Sequence, residues 1–385
     1  MLSSNSAQNE FRWSLSLWGT QPPILKQKEF LVQNRSEVCP LKVGIYLNSQ
    51  YPEHEDASLA LQQLIQQVQL AERLGFDSIW AGEHHLTPGF HFFPQLSLLS
   101  HLSAYSGGMA IGTNLVLLPL HRPVDIAEQV ALIDIACDGQ FIFTVGQGYR
   151  PEEFAAFGVP FEERLPRMVE SIEVIRRLWS QEPVTHDAGW YSIEDARVLP
   201  GPSRPGGPPI WIGATSDRAI KRAGRIGDAF MATPNGDNSE IRRQVALFDA
   251  ARADAGLSPA EELGRLIEVH CHSDAAEARR RAAPHLLTKY AAYASWGLTG
   301  SAGDAASSAG DVKDANAFVE LGRDRFVMGD PDEVVAGLVN QYRELGMTHL
   351  AMRIAWPGSE PTDAIDCIEL LGAEVLPRVR AMCRS

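Results

Sequence analysis

The chain has 385 residues, of which 45% are hydrophobic and 21% are charged, and its 34 basic and 48 acidic side chains give a formal net charge of −14. This acidic balance excludes the basic surface that nucleic acid requires, and the apolar content excludes an extended disordered chain. Five cysteines without a CxxC pair are typical of a reducing compartment, so a cytoplasmic protein is predicted.

No membrane span is predicted. The longest stretch without Asp, Glu, Lys or Arg runs from His84 to His121, and prolines and glycines such as Pro88, Pro94 and Gly107 interrupt it. A bilayer span needs roughly 20 mostly apolar residues in one run. We interpret the stretch as the buried middle of a soluble fold, and residues 1–40 show no secretory signal.

From Leu41 onward, short apolar runs alternate with amphipathic stretches, a pattern typical of a parallel sheet with crossover helices. The predicted strands are Lys42–Asn48, Phe76–Gly82, Met109–Leu118, Gln140–Gly146, Pro209–Ala214, Asp228–Thr233, Arg265–His272 and His349–Trp356. The helices between them are predicted near residues 59–74, 95–105, 124–136, 163–179, 239–255 and 331–345. Two more are predicted to begin at Ser216 and Asp274, and a further helix lies at the C-terminus.

This count of about eight βα units predicts a closed (β/α)₈ TIM barrel as one domain over residues 41–385. A doubly wound open sheet is the alternative, but it usually carries a glycine-rich turn after its first strand, and residues 48–53 contain none. Residues 1–40 are interpreted as an N-terminal extension. Residues 182–208, rich in Pro and Gly, are predicted to be an insertion, and residues 297–312 to be a mobile loop.

In a parallel barrel the active site forms at the carboxyl ends of the strands. The second strand is followed by Glu83, His84 and His85. Since neighbouring residues of an extended chain point to opposite sides, the two histidines cannot bind one metal together. We expect one to face the pocket and the other to pack between strand and helix, with a purely structural role for both as the alternative.

The fourth strand ends in a glycine-rich segment, Gly146 to Arg150. Its glycines permit backbone to approach a ligand closely, and Tyr149 and Arg150 offer a hydroxyl and a cation. The dinucleotide fingerprint GxGxxG is not matched, because Pro151 stands at its last position. Taken by itself, this segment is only weak evidence for a ligand-binding site.

The fifth strand leads directly into a helix through Gly213, Ala214, Thr215, Ser216 and Asp217. Free backbone N–H groups at a helix start, with hydroxyls beside them, form a phosphate site. The alternative is an ordinary N-cap, in which Ser216 or Asp217 accepts those hydrogen bonds without any ligand.

The seventh strand places Glu268, His270 and His272 on one face, which is predicted to point into the barrel. The His-x-His spacing suits a metal ion, but a metal site needs further ligands from other strands and no clear set is present. No metal is predicted.

Five segments in this order resemble the luciferase-like flavin monooxygenases, the superfamily of bacterial luciferase. They are Leu70–His85, Gly112–Val124, Phe143–Gly158, Pro208–Asp228 and Gly329–Leu338. The resemblance covers the chain from about Leu41 onward, and it is the order and spacing of the segments that make it specific.

The resemblance implies a role for several positions. His84 matches the catalytic histidine near the reactive edge of the flavin, and Thr215 and Ser216 match ligands of the flavin phosphate. Asn114 matches a position against the isoalloxazine ring, where a non-prolyl cis peptide to Leu115 is expected. The neighbours assigned to the cofactor with them are Gln147, Gly148, Tyr149, Ala214 and Asp217.

Two positions depart from the family. Gly146 stands where bacterial luciferase has a reactive cysteine, and Gln147 stands where it has a phosphate-binding arginine. Arg150 or Arg218 is therefore expected to supply the missing cation. The resemblance does not imply light emission.

The implied reaction uses reduced FMN and O2, which form a flavin hydroperoxide that places one oxygen atom on an organic substrate. A hydrophobic substrate is expected because Phe90 and Phe92 follow His84, and Glu268 is assigned to the same pocket. With no second nucleotide-binding motif visible, a separate flavin reductase is expected to supply FMNH2, and a homodimer is the expected assembly.

Two alternatives remain open. One is a deazaflavin-dependent hydride transferase with a similar barrel and cofactor position. The other is a catalytically silent flavin-binding subunit, against which the presence of His84 argues.

Overall fold

The computed structural model describes residues 40–296, 314–322 and 324–384. The predicted mobile loop at 297–312, and the predicted N-terminal extension up to residue 39, lie outside the described residues. Along the described chain, strands and helices alternate as the apolar pattern predicts.

The strands are β1 (Lys42–Tyr46), β2 (Gln50–Pro52), β3 (Ser78–Ala81), β4 (Phe90–Phe92), β5 (Ala110–Thr113), β6 (Val116–Leu117), β7 (Phe141–Gly146), β8 (Val184–Asp187), β9 (Ser192–Ala196), β10 (Ile210–Gly213), β11 (Ala229–Ala232), β12 (Leu263–Cys271), β13 (Phe326–Gly329) and β14 (His349–Arg353). The helices are α1 (Ala57–Arg73), α2 (Gln95–Leu102), α3 (Pro123–Ala136), α4 (Pro151–Ala156), α5 (Arg164–Trp179), α6 (Asp217–Ile226), α7 (Asn238–Asp254), α8 (Ala275–Ser295), α9 (Ala315–Leu321), α10 (Pro331–Leu345), α11 (Pro361–Leu370) and α12 (Leu376–Cys383).

Eight parallel strands form a closed ring in the order β1, β3, β5, β7, β10, β11, β12, β14, and β14 pairs back with β1. The pairing of Ile210 with Phe143 joins β10 to β7 across the insertion. The predicted (β/α)₈ barrel is thereby confirmed. Within the segment predicted as an insertion, β8 and β9 form a separate antiparallel pair, and β2 with β4 forms another.

Alternate residues of each barrel strand face opposite sides, as extended backbone requires. In β3, Ile79 packs in the layer between strands and helices, while Trp80 points into the barrel. Trp80 and Trp211 lie 5.9 Å apart between ring centroids and are fully buried. The interior at this level is therefore a packed core, and the carboxyl ends of the strands are the end at which barrels of this type bind their ligands.

No helix in the described part of the chain is long and apolar enough to cross a membrane.

The packing around Trp80 predicts a cost for a single added methyl group. A Cβ atom at Gly112 would overlap the indole ring of Trp80. We expect Gly112→Ala to lower the free energy of unfolding by about 1–3 kcal/mol, because overpacking forces side chains off their rotamers. Urea unfolding followed by circular dichroism measures the loss.

Trp80→Phe serves as the matched variant, since the smaller ring makes room for the methyl group. The double variant should lose less stability than the sum of the two single losses. Strict additivity would contradict the assigned contact.

Candidate active site

A cavity of about 510 Å³ opens at the carboxyl ends of the barrel strands. This volume is in the range of small-molecule and cofactor sites. The cavity is lined by eight of the residues that the sequence assigns to a site, namely His84, Asn114, Gln147, Gly148, Tyr149, Ala214, Thr215 and Ser216.

The imidazole of His84 is held by a buried carboxylate. Its Nδ1 lies 2.9 Å from Oε1 of Glu153, and the same oxygen accepts the backbone N–H of His85 at 2.8 Å and Nη1 of Arg150 at 3.2 Å. Burial acts to raise the pKa of Glu153, but the hydrogen bonds from His84 and His85 and the charge of Arg150 outweigh it and lower that pKa. An ionised carboxylate only accepts hydrogen bonds, so Nδ1 of His84 carries the proton and Nε2 is the atom left for chemistry.

Four aromatic rings surround the imidazole of His84. The ring centroids of Phe92, Tyr149, Trp296 and Tyr293 lie 5.5, 5.7, 5.7 and 6.0 Å from its own. The side chain of His84 is 12% exposed. This environment keeps most water away from Nε2 while leaving the ring at the cavity wall.

His85 points to the other side of the strand end, as extended backbone predicts. Its Nε2 lies 3.4 Å from Glu83, whose Oε1 and Oε2 each lie 3.2 Å from Nε2 of His121. Oε2 of Glu83 also accepts the backbone N–H of Leu117 at 2.6 Å. Because Leu117 lies just after the segment that carries Asn114, this cluster fixes one wall of the cavity.

Glu83, His85 and His121 bring three possible metal-binding atoms within 4.8 Å of one another, and no other such trio occurs in the described ranges. Burial acts to raise the pKa of Glu83, but the hydrogen bonds from His121 and His85 outweigh it and lower that pKa well below its usual range. Burial acts to lower the pKa of His121, but its contact with Glu83 outweighs that effect and raises the pKa. These contacts are therefore those of an ion pair between Glu83 and His121. His270, in contrast, is buried with its Nδ1 3.4 Å from the carbonyl of Ile354, outside any such trio.

The predicted cis peptide between Asn114 and Leu115 is present and is confirmed. The Leu115 side chain that follows it lies against two glycines. A Cβ atom on Gly146 would stand 2.6 Å from Cδ1 of Leu115, and one on Gly213 would also overlap that side chain. A side chain at position 146, such as the cysteine of bacterial luciferase, would therefore require Leu115 to move.

The N-terminus of α6 forms one end of the cavity. Thr215 and Ser216 line it, and Oγ of Ser216 accepts the backbone N–H of Ala219 at 3.4 Å, so the N-cap interaction is present as well. Two cations that the sequence analysis missed, Arg164 and Arg222, line the cavity with them. Hydroxyls, a helix start and two guanidinium groups together suit a phosphate group.

Neither of these two arginines has a carboxylate partner among the described ion pairs. The guanidinium of Arg164 lies 3.9 Å from the ring centroid of Phe161 and donates to its carbonyl at 2.8 Å, while its Nε has no partner in the described structure. Burial lowers the pKa of Arg222. Both cations are therefore available to an anionic ligand.

Arg150 and Arg218, which the sequence analysis offers as the cation, do not line the cavity. Arg150 is buried and donates to the carbonyl of His85 and to Glu153, and Arg218 is exposed outside the cavity. Asp217 does not line the cavity either, because its carboxylate pairs with Arg243 at 2.9 Å. Helical periodicity would have found Arg222, which lies three residues after Ala219, whereas Arg218 is turned away from that face.

The residues assigned to the substrate pocket do not line the cavity either. Phe90 and Phe92 belong to the β2–β4 pair and do not line the cavity, although Phe92 contacts His84. Glu268 is fully buried behind the wall, where it pairs with Lys289 and accepts Nε1–H of Trp356 at 2.6 Å. A carboxylate inside a barrel needs such partners, which satisfy it away from the cavity.

The floor of the cavity on that side is formed by Tyr46, Lys289, Tyr293 and Arg353. Tyr293 and Lys289 are one helical turn apart on α8, a helix that the sequence pattern does not link to a site. Altogether, four Lys or Arg side chains line the cavity and Glu83 is its one carboxylate among the described residues. In a chain with a net charge of −14, this concentration of cations selects anionic ligands.

Comparison with known proteins identifies the family. The family model described as luciferase-like monooxygenase matches residues 41–349. An F420-dependent glucose-6-phosphate dehydrogenase of Microbacterium testaceum is 31% identical, over 81% of this chain and 91% of its own. A 4-hydroxyprotoasukamycin monooxygenase of Streptomyces nodosus subsp. asukaensis is 28% identical, over 68% and 72% of the two chains.

A solved structure shows the same fold. The oxygenating constituent of 3,6-diketocamphane monooxygenase from Pseudomonas putida, in complex with FMN, superposes with a TM-score of 0.71 at 17% identity. The match covers 88% of this chain and 99% of that chain.

The ion pair at Glu83 predicts a pH-dependent stability difference. Glu83→Gln should lower the free energy of unfolding by about 1–3 kcal/mol, because it removes a buried charge-assisted hydrogen bond. The contribution of Glu83 is present above its ordinary pKa of 4.5 and is lost as pH falls, while that of His121 is lost as pH rises above 6.5 through its raised pKa. The difference between wild type and variant should be largest from pH 4.5 to 6.5.

Denaturant unfolding of both proteins at a series of pH values measures this difference. Glu53→Gln is a suitable control, since Glu53 is exposed and its side chain lies outside this cluster. A difference in the free energy of unfolding between wild type and Glu83→Gln that does not change with pH would contradict the ion pair.

Proposed function

The chain belongs to the luciferase-like monooxygenase family of oxidoreductases, and from that premise we propose that it is an FMN-dependent monooxygenase acting on a small organic substrate. The observation that carries the proposal is the position of His84, held by Glu153 at the wall of a cavity whose other end suits a phosphate. Similarity to the Streptomyces monooxygenase supports oxygenation. Flavin and the deazaflavin F420 both serve as cofactors in the family.

The residues present fit a flavin. Several buried polar atoms in the cavity wall have no partner in the described structure, among them Nδ2 of Asn114, Nε of Arg164 and Oδ1 of Asn235. Such atoms are costly unless a ligand satisfies them. Thr215, Ser216 and the two arginines would hold the phosphate, and Asn114 with the glycine-backed Leu115 would lie along the ring system.

When bound, reduced FMN supplies the electrons that activate O2. The chain contributes position, dryness and one proton-transfer group. Nε2 of His84 would accept or return a proton at the reacting edge of the flavin. Its Nδ1–H would remain hydrogen-bonded to Glu153 throughout. The rings of Phe92, Tyr149, Tyr293 and Trp296 limit the access of water to that atom.

The source of reduced flavin is part of the proposal. We infer a separate flavin reductase, because the phosphate site beside α6 accounts for one nucleotide and the sequence shows no second nucleotide-binding motif. A homodimer remains the expected assembly.

A second candidate is hydride transfer with F420. It is favoured by the 31% identity to an F420-dependent dehydrogenase. The pair His84–Glu153 would then take the proton of a substrate alcohol, and the same phosphate site would hold the deazaflavin. The oxygenase is preferred because the aromatic environment of His84 suits a reaction that must exclude water.

A direct assay separates these functions. With FMN, NADH, a flavin reductase and a panel of organic substrates, we expect oxygen-dependent loss of at least one substrate by mass spectrometry. A parallel set contains the same substrates with oxidised F420 alone, and its reduction is followed by absorbance. His84→Ala should lower product formation about 10²–10⁴-fold, the usual contribution of acid–base catalysis. Anaerobic samples and samples without reductase are the controls.

Three results would count against the oxygenase. Reduction of F420 without any FMN-dependent turnover assigns the second candidate. Turnover that is unchanged in His84→Ala removes its catalytic role, and binding of flavin without turnover by either cofactor indicates a silent subunit.

The phosphate site makes a separate prediction about affinity. Arg222→Met should weaken reduced FMN binding about 10–150-fold, the loss of one charge-assisted hydrogen bond of about 1.5–3 kcal/mol. Riboflavin lacks the phosphate, so its affinity should hardly change. Anaerobic fluorescence titration with both flavins measures the two effects.

Arg218→Met is the matched control, because Arg218 lies on the same helix but outside the cavity. It should leave both affinities unchanged. Equal losses for FMN and riboflavin in Arg222→Met would show that Arg222 does not bind the phosphate.

A further inference from the structure

We propose that the end of the cavity formed by Lys289 and Arg353 binds an anionic group of the substrate, which makes the substrate a small organic acid with an apolar body. This inference rests on the proposed function, since it assigns the substrate class of the same cavity. It refines the expectation of a hydrophobic substrate by adding one charge at a defined end.

The first argument is the charge balance of this end. Lys289 and Arg353 are both buried, at 2% and 5% exposure, and they share one carboxylate. Glu268 pairs with Lys289, lies 4.0 Å from Nη1 of Arg353, and gives its second oxygen to Trp356. With Lys289 in its ammonium form, two buried cations share one buried carboxylate, and the excess positive charge is costly in a protein interior unless an anion compensates it.

The second argument is the donors that face the cavity. Arg353 stacks over Tyr46 at 4.2 Å and donates to Tyr293, but its Nε has no partner in the described structure. Arg353, Lys289, Tyr46 and Tyr293 all line the cavity. A guanidinium, an ammonium and two hydroxyls on one wall are the groups that bind carboxylate, phosphate or sulfonate.

The third argument is the number of barrel strands that separate this end of the cavity from the phosphate site. Arg353 ends β14, which is separated from β10 and its phosphate site by β11 and β12, whereas only β1 lies between β14 and β3. A Cβ on Gly82 would overlap the Tyr46 hydroxyl, so Tyr46 connects Arg353 to the segment that carries His84. The anion site is therefore on the substrate side of His84 and is distinct from the cofactor site.

The ionisation of Lys289 agrees with this assignment. Burial and then the charge of Arg353 lower its pKa to about 7. A neighbouring anion opposes both effects, because it stabilises the ammonium form. The groups that face Lys289 are Glu268, Arg353, Tyr290 and Tyr293.

The apolar body follows from the space between this end and His84. Tyr293 lies beside Arg353 and also packs on His84 at 6.0 Å, and Leu266 lines the same wall. A substrate anchored by its anion at Arg353 would thus extend along aromatic and aliphatic surface toward Nε2 of His84. An aryl acid is a suitable probe for this shape.

Isothermal titration with matched probes tests the proposal on the full chain saturated with FMN. Phenylacetate is compared with its neutral analogue phenylacetamide, and phenylphosphonate and benzenesulfonate identify the preferred anion. We expect at least one anion to bind about tenfold or more tighter than the amide, the effect of a charge-assisted hydrogen bond. Arg353→Met should abolish this preference, and Arg353→Lys should retain part of it.

Arg353→Met should fold, because Glu268 keeps Lys289 as its partner, and circular dichroism and Tm verify this. Arg218→Met is the control, because Arg218 is exposed and lies outside the cavity, and it should keep the preference for the anion. Equal binding of anion and amide, no binding of any anion, or a preference that survives in Arg353→Met overturns the proposal. If flavin and F420 both fail to bind but the preference is present without cofactor, the proposed function fails and the anion site stands.

Discussion

The pairing of β10 with β7 is the constraint on which the site depends. It closes the barrel across an insertion of about 27 residues and sets Ile210 opposite Phe143. The loops after these two strands therefore lie side by side, and both approach Leu115 through a glycine, Gly146 or Gly213. The wall that would face a flavin ring is built from three strand ends, each positioned by sheet register.

A second constraint is electrostatic, and it runs against the composition of the chain. The protein is strongly acidic, but four cations converge at the upper end of the barrel, two near α6 and two near α8. Lys289 and Arg353 are buried and Arg164 and Arg222 are half-buried, which costs free energy. Ligands with anions at two points, as proposed above, would offset this cost. Beside His84, the carboxylate of Glu153 and the guanidinium of Arg150 balance each other's charge.

Much of this was predictable from the sequence. The eight strands, the single barrel, the opposite orientation of His84 and His85, and the cis peptide after Asn114 follow from periodicity and from family resemblance. The cations did not follow, since Arg164, Lys289 and Arg353 lie on elements far apart along the chain and meet only through barrel closure. Glu153 was missed for the same reason, because 69 residues separate it from His84.

Oxygenation and hydride transfer differ in the direction in which His84 would move a proton. Its Nδ1 is occupied by a carboxylate that stays ionised, so Nε2 can accept a proton from a substrate hydroxyl or return one to reduced oxygen with no change in the surrounding residues. The protein scaffold thus supports either chemistry, and the identity of the bound cofactor decides between them. An acid anchored at Arg353, as proposed above, would present the same carbon chain to Nε2 of His84 in both reactions.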